Sequence, residues 1–208
     1  MLEFLRDWWH DLLTPLAKGL LKMHISPDVV TWVGTIATCL VAIICFPRGW
    51  FWQGVAILLV FILSDTLDGT MARLAGRESP WGSFLDATLD RISDGALFAG
   101  VILYYAGPGD SLLWAAAGLG ALVFAEVTSY SKARGEACGF RVHGGLATRA
   151  DRIFLLLLGV LLVDLGVDWA LPVALCYLLV AGLITLVQRI LQVYSQSHQV
   201  SATEGNPQ

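Results

Sequence analysis

Charged residues are scarce in this chain, and their scarcity excludes most soluble classes of protein. Only 14% of the 208 residues are Asp, Glu, Lys or Arg, against about 25% in a typical soluble domain. Hydrophobic residues make up 56%, so neither a disordered chain nor an ordinary soluble domain is expected. The formal net charge of −4 gives no support for a general nucleic-acid-binding protein. The composition indicates an integral membrane protein.

The chain also lacks a cysteine framework. Of its four cysteines, Cys39 and Cys45 fall in one apolar run, Cys176 in another and Cys138 in a polar stretch. No CxxC pair and no cysteine–histidine spacing is present, so disulfides and a zinc site are not expected. We also find no secretory signal with a cleavage site, no internal repeat and no second domain.

The first 24 residues combine charge with helical periodicity. Leu5, Trp9, Leu12 and Leu16 recur at intervals of three or four residues, with charged side chains between them. This pattern predicts an amphipathic helix over residues 1–24 that lies in the membrane interface. A soluble packing helix is the alternative.

The long apolar runs predict six membrane-spanning helices. A helix needs about 20 residues to cross the bilayer, and two charge-free runs, 29–46 and 169–187, approach or reach that length. Four shorter runs span only if their helices continue through charged residues; these runs are 51–64, 95–107, 111–125 and 153–163. We therefore expect an all-α domain over residues 25–194. The polar tail, 195–208, lacks periodicity and is expected to be disordered.

The distribution of cations predicts the orientation. When the six spans alternate, every charged continuation falls on one side of the membrane, and of the 13 Lys and Arg residues only Arg48 lies on the other. Positive charge marks the cytoplasmic side. We expect a multi-pass protein of the cell membrane with both termini cytoplasmic and a polar cavity open to the cytoplasm. Charges within a membrane are costly, so their clustering indicates a functional site.

Four carboxylates form the centre of this cluster. Asp65 and Asp68 are spaced i,i+3 and Asp86 and Asp90 are spaced i,i+4, so each pair shares a helix face. A short loop around Glu78 joins the two helices as antiparallel neighbours. At about 1.5 Å of rise per residue, the two pairs reach similar depths, and the four carboxylates can converge on one point.

Such a cluster requires positive charge. Oxygen ligands select hard cations such as Mg²⁺ or Mn²⁺, and a pair of ions bridged by aspartates suits phosphoryl chemistry. The alternative is a set of structural ion pairs with Arg73, Arg77 and Arg91, which could neutralise only part of the cluster.

The residues of this segment carry a specific resemblance. The pattern Asp65-x2-Asp68-Gly69-x2-Ala72-Arg73-x8-Gly82-x3-Asp86-x3-Asp90 is similar at every fixed position to the signature of the CDP-alcohol phosphotransferases. The six-helix hydropathy of that family matches the rest of the chain. Its members use an acceptor hydroxyl to displace CMP from a CDP-linked donor, and the family suggests a homodimer.

The resemblance implies roles for the aspartates. Asp65, Asp68 and Asp86 are expected to bind two Mg²⁺ ions, or Mn²⁺, with Asp65 and Asp86 shared between them. Asp90 is expected to be both a ligand and the general base that takes the proton of the acceptor hydroxyl. A carboxylate within hydrogen-bond reach of that hydroxyl can do so.

The resemblance also implies a donor site for CDP-diacylglycerol. Gly69 would allow the nucleotide to approach its helix closely, although close helix packing also explains a glycine here. Arg73 suits the diphosphate as a bidentate donor. Ser26 and Pro27 form an ordinary helix start. Contacts to the donor are expected from Asp28, Val29, Val30, Thr31 and Ser79.

Four cations predict an acceptor that carries its own phosphate. Lys132, Arg149, Arg152 and Arg189 lie at the cytoplasmic ends of three predicted spans, whereas Arg134 and Arg141 are expected to touch lipid headgroups. A cluster of cations suits a phosphate dianion.

The surrounding sequence resembles a bacterial subgroup of the family whose acceptor is inositol 1-phosphate. The resemblance implies that Ser129, Lys132, Arg152 and Arg189 hold its phosphate. That subgroup often has a glutamate before each paired arginine, where this chain has Thr148 and Asp151.

We therefore expect an enzyme of phospholipid biosynthesis that transfers the phosphatidyl group of CDP-diacylglycerol to inositol 1-phosphate, releasing CMP. Glycerol 3-phosphate, the acceptor of phosphatidylglycerophosphate synthases, is the alternative within the family. A cation channel or transporter is the alternative from another class, since intramembrane aspartates are common there. No polar path to the far side of the membrane is visible, which argues against it. An aspartate-rich prenyltransferase would have longer helical repeats.

Overall fold

The computed structural model describes residues 15, 18–19, 21–23, 25–74, 79–146 and 148–204. The side chains of 62–69, 72–74 and 199–204 lie outside the described part. The described residues form six α-helices and no strand, which confirms the all-α prediction. The helices are α1 (Pro27–Cys45), α2 (Phe51–Leu74), α3 (Pro80–Ala106), α4 (Leu112–Ala137), α5 (Arg149–Asp164) and α6 (Ala170–Glu204). Most of the predicted interfacial helix, residues 1–24, lies outside the described residues.

Three stretches in the described part are long and apolar enough to cross a membrane. They are Pro27–Arg48, Leu112–Ala137 and Ala170–His198. Large apolar side chains on these helices face outward, for example Leu112, Val173 and Leu191, which suits a hydrocarbon environment. The chain is a membrane protein, whereas the six-span arrangement stays a prediction.

The start of α1 follows the sequence prediction. The Ser26 hydroxyl accepts a hydrogen bond from the Val29 amide at 3.4 Å, Pro27 is the first helical residue and Asp28 lies in the first turn. A short 3-10 turn, Phe46–Arg48, follows α1 and ends at Gly49, whose φ is 72°. The positive φ favours glycine because it lacks a Cβ.

The chain divides into two compact units, and the first comprises residues 1–100. In it α1 packs against α2. The α3 glycine Gly100 lies so close to the Ala42 carbonyl of α1 that a Cβ would collide with that oxygen. Phe46, Met71 and Phe98 are fully buried in this unit.

The second unit comprises residues 101–208. Both α4 and α5 pack against α6, and small residues line these contacts. A Cβ on Gly120 would lie 2.5 Å from Leu179, and one on Gly182 would lie 2.8 Å from Phe124. Such glycines allow close helix approach, which is how helices associate where lipid removes the hydrophobic driving force.

The last helix is longer than predicted. α6 continues through Ser195 to Glu204, where the sequence predicted a disordered tail from residue 195, and residues 205–208 lie outside the described part. The continuation has a physical reason, because Gln196 hydrogen-bonds the backbone at Arg141. Polarity on every face had hidden the helical periodicity.

Candidate active site

Two of the four predicted metal ligands have described side chains. Asp86 and Asp90 lie one turn apart on α3, where Asp86 is exposed and Asp90 half-buried. Asp65 and Asp68 lie on α2, but their side chains, like that of Arg73, are outside the described part, as is the environment of Gly69. Among the described side chains, no three His, Cys, Asp or Glu residues lie close enough together to hold a metal ion. The convergence of all four aspartates therefore stays a prediction.

The donor chemistry of the described aspartates fits a hard cation. Their spacing directs two carboxylates to the same face of α3, and carboxylate oxygens are the ligands that Mg²⁺ and Mn²⁺ prefer. Arg91, one of the cations of the ion-pair alternative, forms an ion pair of 3.3 Å with the buried Asp94.

The predicted donor-site residues near α1 make local contacts. The Thr31 hydroxyl donates to the Pro27 carbonyl at 3.1 Å, Val29 is half exposed, and Val30 is partly exposed. Asp28 accepts a hydrogen bond of 3.1 Å from the indole nitrogen of Trp81. Sequence reasoning missed Trp81, which contacts Asp28 from 53 positions away.

Ser79 has a structural function at the start of α3. Its hydroxyl accepts a hydrogen bond from the Gly82 amide at 3.0 Å, and Pro80 is the first residue of the helix. The same serine–proline arrangement opens α1, so both helices begin in one way. Ser79 remains exposed, which leaves a second acceptor lone pair of its hydroxyl for a ligand.

Arg152 is the most buried of the predicted acceptor-site cations, with only 7% of its surface exposed. One guanidinium nitrogen donates to the Ala125 carbonyl at 2.8 Å and to the Thr128 hydroxyl at 2.9 Å. The other donates to the Ser129 hydroxyl at 3.2 Å. A buried arginine is expensive unless it is hydrogen-bonded, and these contacts fix its head beside α4.

Arg189 approaches the same place from α6. Its guanidinium donates to the Thr128 carbonyl and, at 3.2 Å, to the Gly144 carbonyl. Thr128 therefore contacts both arginines, and the structure brings Ser129, Arg152 and Arg189 together. Sequence reasoning missed Thr128 because a threonine inside an apolar helix carries no distinguishing signal.

The other two predicted cations occupy more open positions. Lys132 is half exposed, and its ammonium group lies 3.9 Å from the Glu136 carboxylate one turn further along α4. Arg149 is the first residue of α5 and is partly exposed. Lys132 does not depend on burial, so its side chain can turn toward a ligand at small cost.

A capping box fixes the start of α5. The Thr148 hydroxyl accepts from the Asp151 amide at 3.4 Å, and the Asp151 carboxylate accepts from the Thr148 amide at 2.9 Å and its hydroxyl at 2.7 Å. The side-chain hydrogen bond, followed by the backbone one, lowers the pKa of Asp151. These are the two positions that differ from the subgroup pattern, and here they form a helix N-terminus.

Comparison with known proteins identifies the family. The model of the CDP-alcohol phosphatidyltransferase family matches residues 24–135. The chain belongs to this family, which confirms the resemblance seen in the motif and the prediction of an enzyme rather than a channel or transporter. The match includes the whole aspartate motif, whereas Arg149, Arg152 and Arg189 lie beyond it.

Individual relatives cover nearly the whole chain. The phosphatidylinositol phosphate synthase of Cutibacterium acnes is 51% identical over 201 residues, which are 93% of this chain and 97% of the relative. That of Streptomyces avermitilis is 40% identical over 207 residues, 96% of this chain and 85% of the relative.

Solved structures of the Mycobacterium tuberculosis phosphatidylinositol phosphate synthase share the fold. The structure with CDP-DAG bound has a TM-score of 0.85 at 41% identity, covering 88% of this chain and 94% of the other. The structure in complex with manganese and citrate has a TM-score of 0.81 at 40% identity, covering 88% of each chain.

Proposed function

We propose that this protein transfers the phosphatidyl group of CDP-diacylglycerol to a hydroxyl of inositol 1-phosphate, giving phosphatidylinositol phosphate and CMP. The observation that carries the acceptor assignment is the pair of arginines at Thr128. Arg152 and Arg189 come from different helices and bind the hydroxyl and carbonyl of one residue. Two positive charges so close together repel each other unless an anion joins them, and a phosphate dianion meets that need.

A further observation supports an anionic ligand. The Nε of Arg189 is buried and has no hydrogen-bond partner among the described residues. A buried donor without a partner costs free energy, so it marks a position where a ligand oxygen would be stabilising. The names of the relatives support inositol phosphate over other anionic acceptors.

The chain's own groups account for the reaction. Asp90 takes the proton of the acceptor hydroxyl as its oxygen bonds to the phosphatidyl phosphorus. The bond between that phosphorus and the oxygen leading to CMP breaks, and CMP leaves with the electron pair. Arg73 would hold the diphosphate, and Asp28, Val29, Val30, Thr31, Gly69 and Ser79 would contact the donor.

Asp65, Asp68, Asp86 and Asp90 would hold two divalent ions, Mg²⁺ or Mn²⁺. Bound metal would neutralise the negative charge that develops on the phosphoryl oxygens. The manganese complex of the tuberculosis relative supports this assignment.

We place the protein in the cell membrane as a multi-pass homodimer with both termini and the active site cytoplasmic. Three described helices can cross a bilayer, and all Lys and Arg residues but Arg48 lie on one side of the six predicted spans. Fusing a reporter that is active only in the cytoplasm to each terminus would test the orientation.

A product assay tests the acceptor. Purified protein in detergent receives CDP-diacylglycerol, Mg²⁺ and one of three acceptors, and the lipid product is identified by mass spectrometry. Inositol 1-phosphate should give a product, and plain inositol should give none because it lacks the phosphate. A faster reaction with glycerol 3-phosphate would refute the inositol assignment and leave the phosphate pocket standing.

A further inference from the structure

One face of α6 binds the connection between α4 and α5 through four polar side chains. Residues 139–146 of this connection are not helical, and we call them the linker. Thr185, Arg189, Gln192 and Gln196 follow each other at intervals of four, three and four residues, which places them on one helix face. Each of them hydrogen-bonds linker backbone.

The two glutamines each make a reciprocal pair of hydrogen bonds. The Gln192 carboxamide accepts from the His143 amide at 3.2 Å and donates to the His143 carbonyl at 2.9 Å. The Gln196 carboxamide accepts from the Arg141 amide at 2.9 Å and donates to the Arg141 carbonyl at 2.7 Å. Each side-chain amide thus makes the two backbone hydrogen bonds that a neighbouring β-strand would make.

The spacing of the two elements explains why the pairs repeat. In an extended chain, alternate residues present both backbone groups to the same edge, at about 6.6 Å per two residues. On a helix, residues i and i+4 lie on one face about 6 Å apart. Arg141 and His143 therefore match Gln196 and Gln192, with the linker running antiparallel to α6.

The repeated pairs of hydrogen bonds between α6 and the linker end at two glycines. Gly144 and Gly145 have φ values of 75° and 137°, which turn the backbone out of the extended register. Beyond them the Leu146 amide donates to the Thr185 hydroxyl at 3.1 Å. A Cβ on Gly145 would lie 2.6 Å from the Thr185 methyl group. This close approach fixes the position of the turn on the surface of α6.

We propose that Gln192 and Gln196 are positioning residues for the acceptor, and this inference rests on the proposed function. The linker connects the α4 end that carries Ser129 to the α5 start that carries Arg152. Its Gly144 carbonyl also accepts from the Arg189 guanidinium. The glutamines fix the linker's register along α6 and thereby the place of that carbonyl and of the Arg189 head.

The register matters because the Gly144 carbonyl is one of the two backbone groups to which the Arg189 guanidinium donates. A linker released from the glutamines would shift Gly144, and Arg189 would lose one of its two backbone contacts. The donor side depends on residues of the first unit. Loss of the glutamines should therefore affect the acceptor selectively.

The test is the Gln192→Met/Gln196→Met double variant, which keeps side-chain volume and removes all four hydrogen bonds to the linker. The KM for inositol 1-phosphate should rise roughly 10-fold or more, while the KM for CDP-diacylglycerol should stay within about twofold of wild type. Gln192→Glu retains the bond from the His143 amide and should fall between wild type and a Gln192→Met single variant. Gln188→Met, at an exposed position on the same helix, is the matched control and should behave as wild type.

Hydrogen exchange gives a readout independent of activity. The amides of Arg141 and His143 should lose protection in the double variant and keep it in Gln188→Met. Unchanged protection, an equal rise in both KM values, or lost protection with an unchanged acceptor KM would each overturn the proposal. If the double variant does not fold, the Gln192→Met single variant decides by the same criteria, with the His143 amide as the exchange readout. If wild type prefers glycerol 3-phosphate, only the inositol assignment fails, and the selectivity is judged with that acceptor.

Discussion

At the scale of single residues, Thr128 links two arginines of the proposed acceptor pocket, the buried Arg152 and the part-buried Arg189. Its hydroxyl accepts from Arg152 and its carbonyl from Arg189, so neither guanidinium can move without breaking a contact to the same residue. Lys132, in contrast, is half exposed and interacts with Glu136 over one helix turn. An exposed pair of this kind contributes little to stability, so Lys132 is free to act on the ligand.

Lys132→Gln should raise the KM for inositol 1-phosphate roughly 10- to 150-fold, because a charge-assisted hydrogen bond to the phosphate is lost. The KM for CDP-diacylglycerol and the thermal stability should hardly change. Arg134→Gln provides the control, since Arg134 is exposed on the same helix and is expected to touch headgroups. The measurement is a pair of titrations, one for each substrate. An equal loss for both substrates would remove Lys132 from the acceptor pocket.

Asp90→Asn should lower the turnover roughly 10²- to 10⁴-fold or more, because the amide cannot accept the acceptor proton. Donor affinity should fall less than in Asp65→Asn, since Asp65 is proposed to bridge both ions. Single-turnover kinetics together with donor binding would separate the two effects. Turnover near the wild-type rate in Asp90→Asn would contradict the base assignment.

Trp81→Phe should weaken donor binding, because Asp28 loses its hydrogen bond from the indole nitrogen. We expect the KM for CDP-diacylglycerol to rise roughly 3- to 10-fold, with the acceptor KM unchanged. Trp52→Phe, at an exposed position on α2, controls for the loss of an indole. If both variants behave alike, Asp28 does not depend on Trp81.

At the scale of the elements, the starts of helices were predicted best from the sequence. Ser26–Pro27 predicted the beginning of α1 correctly, and the aspartate motif identified the family. The capping box of α5 was not predicted, although Thr148-x-x-Asp151 has the spacing of one. The C-terminal end of α6 and the hydrogen bonds of Gln192 and Gln196 to the linker were not predictable, since they depend on pairs about 50 positions apart in the chain.

The capping box should make the start of α5 sensitive to acid. Hydrogen bonds from Thr148 lower the folded-state pKa of Asp151, so its stabilising contribution is present above the unfolded-state pKa of about 3.9. It is lost as the pH falls through the folded-state value. As the pH falls from 6 to 3, the thermal unfolding temperature in detergent should therefore decline more steeply in wild type than in Asp151→Asn.

Thr148→Ala removes the same cap by another route and should cost about 0.5–2 kcal/mol at neutral pH. Its unfolding temperature should be lower than that of wild type at pH 7, where Asp151 is ionised. Identical pH profiles for wild type and Asp151→Asn would show that the carboxylate contributes nothing to the cap.

At the scale of the whole molecule, the chain combines helices that suit lipid with a few costly polar groups. Small residues bring α4, α5 and α6 together, while large apolar side chains cover the outside. In the described part of the chain, the polar exceptions include Asp94 of α3 and the arginine contacts at Thr128. Buried charge of this kind lowers stability, and the proposed binding of a phosphate-bearing acceptor explains why the arginines are retained.

The most direct measurement is CMP release from CDP-diacylglycerol by the purified protein. Release should require both a divalent ion and inositol 1-phosphate. It should stop when the protein is exhaustively chelated and return when Mg²⁺ or Mn²⁺ is added. Asp86→Asn, measured beside wild type, should not recover at the same metal concentration, because it lacks one of the four proposed metal ligands. Full CMP release after exhaustive chelation, or release at an equal rate with plain inositol, would contradict the account.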